Sequence, residues 1–200
     1  MKRITGFCLV LAALIAGSLT GYQYAYRQIT APGPAMVGTS WHVYFSPNGG
    51  CTDEIVAEIG KATNTIRVLA YSFTSEPIAR SLVEAHKRGI DVVVILDKEQ
   101  RTAKDSEADF LADAGIKTLI DSRHAIAHNK VIIIDRQVVI TGSFNFTKAA
   151  EEHNAENLLV IHDTTLAARY AADWQRHAEH SDRDGIAAGS KTLPTYPARR

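Results

Sequence analysis

The sequence predicts an α/β fold, in which one mixed, largely parallel β-sheet of about seven or eight strands carries helices on both faces. Three observations predict it. Short apolar runs of strand length alternate with stretches of helical periodicity through the middle of the chain. One run, 90–96 (Ile-Asp-Val-Val-Val-Ile-Leu), is almost continuously apolar, as expected of a strand covered on both faces. The length of 200 residues suits one such domain.

Each element has a local reason. The strands are apolar or alternating runs bounded by turn residues, and they are predicted at 41–46, 65–73, 90–96, 117–120, 131–134, 138–141 and 158–161. The helices have apolar residues at helical spacing, and they are predicted after a Thr52 or Asp53 cap, from Ser75 to Gly89, and at 104–114, 147–153 and 164–178. Pro77 suits the first turn of the second helix, and Gly115 ends the third.

The two ends of the chain lie outside this pattern. Lys2 and Arg3 precede an apolar run, so residues 1–30 are predicted to be a signal peptide and the protein to be exported, periplasmic or secreted. The alternative is an uncleaved signal anchor formed by residues 4–26, which places the protein at a membrane. Residues 31–40 are predicted to be a linker, 41–180 a single catalytic domain and 181–200 a disordered tail.

Charge limits the kind of polyanion site that the chain can build. Lysine plus arginine and aspartate plus glutamate both number 22, and removal of residues 1–30 leaves a net charge of −3. This balance argues against an extended basic groove and permits a compact phosphate site. Beyond residue 30 the chain has one cysteine, Cys51, which we interpret as a small residue buried at a helix start.

The stretch 128–147 carries the chemistry. His128 and Lys130 are two residues apart and share one side of an extended chain, as do Ser143 and Asn145. A tight turn near residue 136 pairs residues whose numbers sum to about 272, which places Lys130 opposite Gly142. An imidazole, an ammonium, a hydroxyl and an amide then converge beside a glycine, where a ligand can approach the backbone closely.

This group of side chains suits a phosphoryl centre. An imidazole can attack phosphorus, and lysine and asparagine can stabilise the charge that develops on the phosphoryl oxygens. A second histidine is needed, because the leaving oxygen must be protonated. Asp135 lies about 16 Å along the strand from Lys130, so it belongs to the turn rather than to the phosphate.

His128-x-Lys130-x₄-Asp135 followed by Gly142-Ser143-Phe144-Asn145 resembles the HKD signature of the phospholipase D superfamily. The likeness spans roughly residues 41–180 and is nearest to small single-motif bacterial endonucleases of the Nuc/EndA type. It implies a phospholipase D-like fold and a metal-independent phosphodiesterase that needs no cofactor and acts on DNA or RNA. The alternative substrate class is phospholipid or cardiolipin, with membrane contact only if the N-terminal segment is retained.

In this family two motifs form one active site, and this chain has one. The resemblance therefore implies a homodimer in which His128 of each subunit faces one phosphorus, one as nucleophile and the other as general acid. It also assigns catalytic roles to Lys130, Ser143 and Asn145. Glu156 matches the carboxylate that orients the histidine, and Asp135 matches the structural aspartate of the motif.

Other candidates have simpler interpretations. His124 and His128 have a spacing that occurs in zinc sites, but the segment is not helical and no third ligand is nearby in sequence, so no metal site is predicted there. His177 and His180 are interpreted as surface residues. Trp41 and Tyr71 are expected in the core rather than as platforms for base stacking.

Overall fold

Seven strands form one sheet in the computed structural model, which describes residues 38–182. The strands are β1 (Ser40–Ser46), β2 (Thr65–Ala70), β3 (Asp91–Asp97), β4 (Lys117–Asp121), β5 (Lys130–Ile134), β6 (Val138–Gly142) and β7 (Glu156–His162). Their order across the sheet is β1-β7-β6-β5-β2-β3-β4. The predicted mixed sheet is therefore confirmed. The prediction that it is largely parallel is wrong, because four of its six strand pairings are antiparallel.

The parallel part of the sheet comprises β2, β3 and β4, whose two pairings are parallel. The remaining four pairings, from β2 through β5, β6 and β7 to β1, are antiparallel. Helical crossovers connect the parallel strands, whereas the β5–β6 hairpin and the antiparallel addition of β1 to β7 build the other half.

Helices cover both faces of the sheet. They are α1 (Cys51–Lys61), α2 (Glu76–Lys87), α3 (Ala108–Asp113), α4 (Lys148–Glu152) and α5 (Thr164–Ala178), with a 3₁₀ turn at Lys98–Arg101. The first four helices contribute buried side chains to one core. The opposite face packs on α5 through Ala167 and Trp174, and the Trp174 indole donates a 2.9 Å hydrogen bond to the Val68 carbonyl.

Two helix starts differ from the prediction. Helix α1 begins at Cys51 after Gly50, whose φ is 78°, and neither Thr52 nor Asp53 caps it. Instead, the Glu151 carboxylate accepts hydrogen bonds from the backbone N–H groups of Gly50 (3.1 Å) and Thr52 (2.7 Å), so a residue from α4 supplies the cap. The helix predicted at 104–114 is confined to 108–113.

The described fold includes residues on both sides of 41–180. Strand β1 begins at Ser40, and the Asp182 backbone pairs with Ile120 through hydrogen bonds of 2.7 and 3.2 Å. The predictions for residues 1–30, for most of the linker and for residues 183–200 lie outside the described residues. Within 38–182, every helix is too short or too polar to cross a bilayer.

Cys51 is fully buried at the start of α1, as the sequence suggested. Burial, and after it the nearby Glu151 carboxylate, raise the pKa of the Cys51 thiol to about 11. The thiol therefore remains protonated at neutral pH and is a packing group rather than a nucleophile.

One connection determines where the site lies. Because β4 is the edge strand and β5 pairs with β2, the eight residues 122–129 cross the ends of β3 and β2. The Asp97 carboxylate accepts a 2.6 Å hydrogen bond from Ala127 N–H, and Lys98 Nζ donates to the His124 carbonyl at 3.0 Å. These contacts hold the crossing loop, residues 122–129, over the carboxyl ends of the parallel strands.

Candidate active site

The β5–β6 hairpin has the predicted register. Its pairs are Ile132 with Ile140, Ile133 with Val139 and Ile134 with Val138, each of which sums to 272. Asp135 and Arg136 take positive φ values of 52° and 56° in the turn. The hairpin thus directs the start of β5 and the end of β6 toward the same end of the sheet.

His128 and Lys130 are in direct contact there. Lys130 Nζ lies 3.1 Å from each ring nitrogen of His128 and donates to the His128 carbonyl at 3.3 Å. His128 is exposed, whereas Lys130 is 7% exposed. An imidazole open to solvent therefore lies directly on a buried ammonium group.

Tyr71 forms the wall behind this pair. The expectation that it lies in the core is wrong, because the residue is partly exposed. Its ring centroid lies 4.6 Å from that of His128, and Lys130 Nζ lies 5.2 Å from the Tyr71 ring centroid. The phenol donates to Glu99 at 2.8 Å, and the Tyr71 N–H donates to the Asn129 carbonyl at 2.8 Å. Tyr71 thereby restricts the orientation of the imidazole.

Burial lowers the pKa of Lys130, and the Glu156 carboxylate opposes that shift. Glu156 accepts a 3.2 Å hydrogen bond from the Asn154 amide, and its backbone N–H donates to Ser46 Oγ at 3.2 Å. In the described residues it forms no ion pair with His128 of the same chain. The Glu156 carboxylate thus acts on the pKa of Lys130. That Glu156 orients a histidine stays a prediction.

The Ser143 hydroxyl is positioned by Asn157. Its oxygen accepts hydrogen bonds from the Asn157 backbone N–H (3.1 Å) and side-chain amide (3.2 Å). A hydroxyl has two acceptor positions and one donor, so these contacts leave the Ser143 proton to donate. Ser143 is exposed, and its hydroxyl is available to an oxyanion.

Asn145 presents an unsatisfied group. Its Oδ1 is buried and has no hydrogen-bond partner within the described chain. The flanking Phe144 and Phe146 are fully buried, and the Phe146 carbonyl accepts from Thr74 and Ser75 at 3.0 and 2.9 Å. The backbone that carries Asn145 is thus fixed, while its Oδ1 remains to accept a hydrogen bond from a ligand or a second subunit.

Gly142 has a different role from the one predicted. We expected it to let a ligand approach the backbone, but the close neighbour is β7. A Cβ at Gly142 would lie 2.2 Å from the Asn157 carbonyl oxygen, and the φ of Gly142 is 149°. The glycine allows β6 and β7 to meet where Asn157 holds Ser143.

Asp135 lies in the turn, away from this group, as the distance along the strand predicted. Its carboxylate accepts four hydrogen bonds of 2.8 Å, from the N–H groups of Thr63, Asn64 and Thr65 and from the Thr63 hydroxyl. Burial raises the pKa of Asp135, but these bonds outweigh burial and hold that pKa below its usual range. Asp135 joins the hairpin to the start of β2.

Two further sequence interpretations are wrong, those of Trp41 and of the His177 and His180 pair. Trp41 is 64% exposed on β1 instead of buried in the core. His177 and His180 are largely covered, with side-chain exposures of 13% and 18%, because they pack with His124 around Asp121. His124 thus pairs with these residues rather than with His128.

Comparison with known proteins identifies the family. Residues 55–178 match the family model described as "Cardiolipin synthase, PLD-like domain". A protein named phospholipase D from Rickettsia prowazekii is 41% identical over 157 residues, which cover 78% of this chain and 75% of that protein. A mitochondrial cardiolipin hydrolase from Xenopus laevis is 30% identical over 64% of this chain and 61% of that protein.

The fold has a solved counterpart. The crystal structure of Nuc from Salmonella typhimurium, a phospholipase D family member, superposes with a TM-score of 0.69 and is 41% identical. The match covers 72% of this chain and 96% of that chain. With the His128–Lys130 pair at the end of the hairpin, the matches show that this chain belongs to the phospholipase D superfamily and is a hydrolase of phosphodiester bonds.

Proposed function

We propose that this protein is a metal-independent endonuclease that cleaves phosphodiester bonds of nucleic acid through a phosphohistidine, at a site shared by two copies of the chain. The observation that carries the proposal is the exposed His128 imidazole, 3.1 Å from the buried Lys130 ammonium. This arrangement offers one nucleophile and one fixed cation to a phosphate.

In the first step, a ring nitrogen of one His128 attacks phosphorus and the P–O bond to the leaving group breaks. Lys130, the Ser143 hydroxyl and the Asn145 amide stabilise the negative charge on the non-bridging oxygens. His128 of the partner subunit gives its proton to the leaving oxygen. In the second step that imidazole takes a proton from water, which attacks phosphorus and releases the first histidine.

An exposed apolar stripe supports the shared site. Trp41, Val43 and Phe45 alternate along β1, share one face and are 64%, 40% and 64% exposed. Helix α5 packs on the central strands of the same sheet, and among the described residues the core beneath it includes none from β1. Phe45 pairs with Asn157, which holds Ser143, so the stripe continues into the incomplete site. A second copy on this stripe buries the aromatic side chains and brings a second histidine.

Nucleic acid is the favoured substrate. The loops at 47–53 and 98–107 are polar, and Nuc is similar over nearly its whole length. Cardiolipin or another phospholipid is the second candidate. One observation favours it: Ile126 is 53% exposed on the crossing loop, two residues before His128.

One assay panel tests the substrate and the absence of a metal requirement. Plasmid, single-stranded DNA, RNA and cardiolipin vesicles are each incubated with the enzyme in excess EDTA. We expect nucleic-acid cleavage to persist and His128→Asn to abolish it. If only cardiolipin is cleaved, phospholipid is the substrate class and the nuclease proposal is wrong. If EDTA abolishes the activity and Mg²⁺ restores it, the metal-independent mechanism is wrong.

Subunit mixing tests the shared site. After subunit exchange with an equal amount of His128→Asn, random pairing leaves two intact histidines in about one quarter of the dimers. With a shared site, the activity per total protein therefore falls to about one quarter of the wild-type value. A site contained in one chain would leave about one half. Exchange with His153→Asn is the control, since the His153 side chain is 74% exposed and lies outside the site. A linear loss with His128→Asn, or a monomeric active enzyme, refutes the shared site.

A further inference from the structure

Four potential metal ligands converge at the far end of the crossing loop. Asp121 ends β4, His124 is the third residue of the crossing loop, His177 lies in the last turn of α5, and His180 follows that helix. One ligand atom from each lies within 4.8 Å of all the others. The cluster forms because α5 packs its C-terminal end against the edge of the sheet.

One carboxylate oxygen lies close to a ring nitrogen of three imidazoles. Asp121 Oδ2 lies 2.9 Å from His124 Nδ1, 2.7 Å from His177 Nδ1 and 3.3 Å from His180 Nε2. His180 Nε2 is buried and makes no hydrogen bond of good geometry, although it is close to Asp121. Hydrogen bonding to one oxygen therefore leaves part of the cluster unsatisfied.

The surroundings resemble the outer shell of a metal site. The other oxygen, Asp121 Oδ1, accepts from the N–H groups of Arg123 (3.1 Å) and His124 (3.4 Å), which fixes the carboxylate. His177 Nε2 lies 3.9 Å from Asp173 Oδ2, as ligand histidines commonly face a second carboxylate. Asp121 is fully buried, but the His124 side chain is 45% exposed, so an ion can enter from solvent.

We propose that Asp121, His124, His177 and His180 bind one divalent transition-metal ion of the zinc class. Three imidazole nitrogens and one carboxylate oxygen match the nitrogen and oxygen donors that Zn²⁺ accepts, whereas Mg²⁺ and Ca²⁺ prefer oxygen alone. Ligand bonds of about 2.0–2.2 Å place tetrahedral ligand atoms roughly 3.3–3.5 Å apart. The contacts of Asp121 Oδ2, at 2.7–3.3 Å, must lengthen to reach that spacing, whereas ligand atoms up to 4.8 Å apart must move closer together.

The site is structural and lies outside the phosphoryl chemistry. Four protein ligands leave no open position for a substrate on a tetrahedral ion. The ion joins the crossing loop to α5, and His124 precedes the nucleophile His128 by only four residues. Metal binding therefore stabilises the loop that presents His128, while the reaction proceeds without the metal.

Metal titration of the full chain tests the proposal. After chelator treatment and dialysis, Zn²⁺ is titrated by calorimetry and Co²⁺ by visible absorption. We expect one ion per chain, a tetrahedral Co²⁺ spectrum and a rise in Tm with Zn²⁺. His124→Asn and His180→Asn should each weaken binding at least tenfold. His124→Asn is the safer variant, because its ring is half exposed.

Two controls separate this site from the active site. His153→Asn and His128→Asn should bind Zn²⁺ with unchanged stoichiometry and affinity. Absence of saturable Zn²⁺ binding, or binding that survives both cluster variants, overturns the proposal and leaves the cluster as a carboxylate in contact with three imidazoles. Turnover well below Tm should be equal with and without Zn²⁺; a rate that depends on Zn²⁺ would instead contradict the metal-independent mechanism.

Discussion

Asp135→Asn separates the structural aspartate of the motif from its catalytic residues. The wild-type carboxylate accepts hydrogen bonds from three backbone N–H groups and one hydroxyl, all at 2.8 Å. Asparagine tolerates the left-handed φ of 52° at this position, so the substitution changes hydrogen bonding without adding backbone strain. The amide loses the charge and one of the two acceptor oxygens, and with that oxygen two of the four hydrogen bonds, which costs about 2 kcal/mol at this partly exposed site. For a domain of this size Tm falls by about 4–8 °C.

The pH dependence of stability gives this prediction a sign. Because the folded-state pKa of Asp135 is depressed, its stabilisation is present above the ordinary carboxyl pKa of about 4 and is lost as pH falls through the lower folded value. The Tm difference between wild type and Asp135→Asn should therefore be largest at neutral pH and shrink in acid.

Thermal melts by circular dichroism and turnover of a soluble phosphodiester at 20 °C measure the two effects. We expect kcat of Asp135→Asn to remain within about twofold of wild type, because Asp135 does not touch the phosphate site. Asp105→Asn is the matched control for removal of one charge, because Asp105 is exposed and lies outside the β5–β6 hairpin. An unchanged Tm together with a lost kcat would place Asp135 in the chemistry and refute the argument.

Substitutions at three further positions examine the site. Gly142→Ala should lower the free energy of unfolding by about 3 kcal/mol and lower Tm, because its Cβ would lie 2.2 Å from the Asn157 carbonyl oxygen. A Tm of Gly142→Ala equal to that of wild type would show that β6 and β7 can separate there. Ser143→Ala should lower kcat roughly 10- to 100-fold with little change in Tm, and Ser143→Thr should restore part of the rate; equal rates in all three proteins would exclude the hydroxyl. Tyr71→Leu should lower kcat more than Tyr71→Phe, because the ring face, rather than the hydroxyl, contacts His128; the reverse order in steady-state kinetics would assign the effect to the Glu99 hydrogen bond.

The sequence predicted the features that depend on local pattern. The strand periods, the continuous apolar run of β3 and the bounds of α5 are local, and they agree with the structure closely. The cap of α1 could not be predicted in this way, because Glu151 lies about a hundred residues away in sequence. Likewise, the antiparallel pairing of β1 with β7 could not be predicted, because it depends on which strand at the edge of the sheet lacks a second neighbour.

The same distinction applies to the site. The hairpin register followed from counting residues, so the placement of Lys130 and Asp135 at opposite ends of β5 was predictable. Tyr71 and Asn157 were missed as site residues because their contacts cross between strands. The cluster around Asp121 was missed because its ligands come from segments more than fifty residues apart, and no spacing pattern within one segment signals them.

The crossing loop also bears on how this scaffold can be re-engineered. To pass from β4 to β5 the chain spans three strand spacings, or about 14 Å, and its eight residues reach at most about 28 Å. The slack of about 14 Å corresponds to about four residues, so longer deletions would separate β5 from β2. Insertions meet no such limit, so changes in selectivity are best sought in libraries that lengthen the segment between His124 and Ala127, with the flanking anchor points left intact.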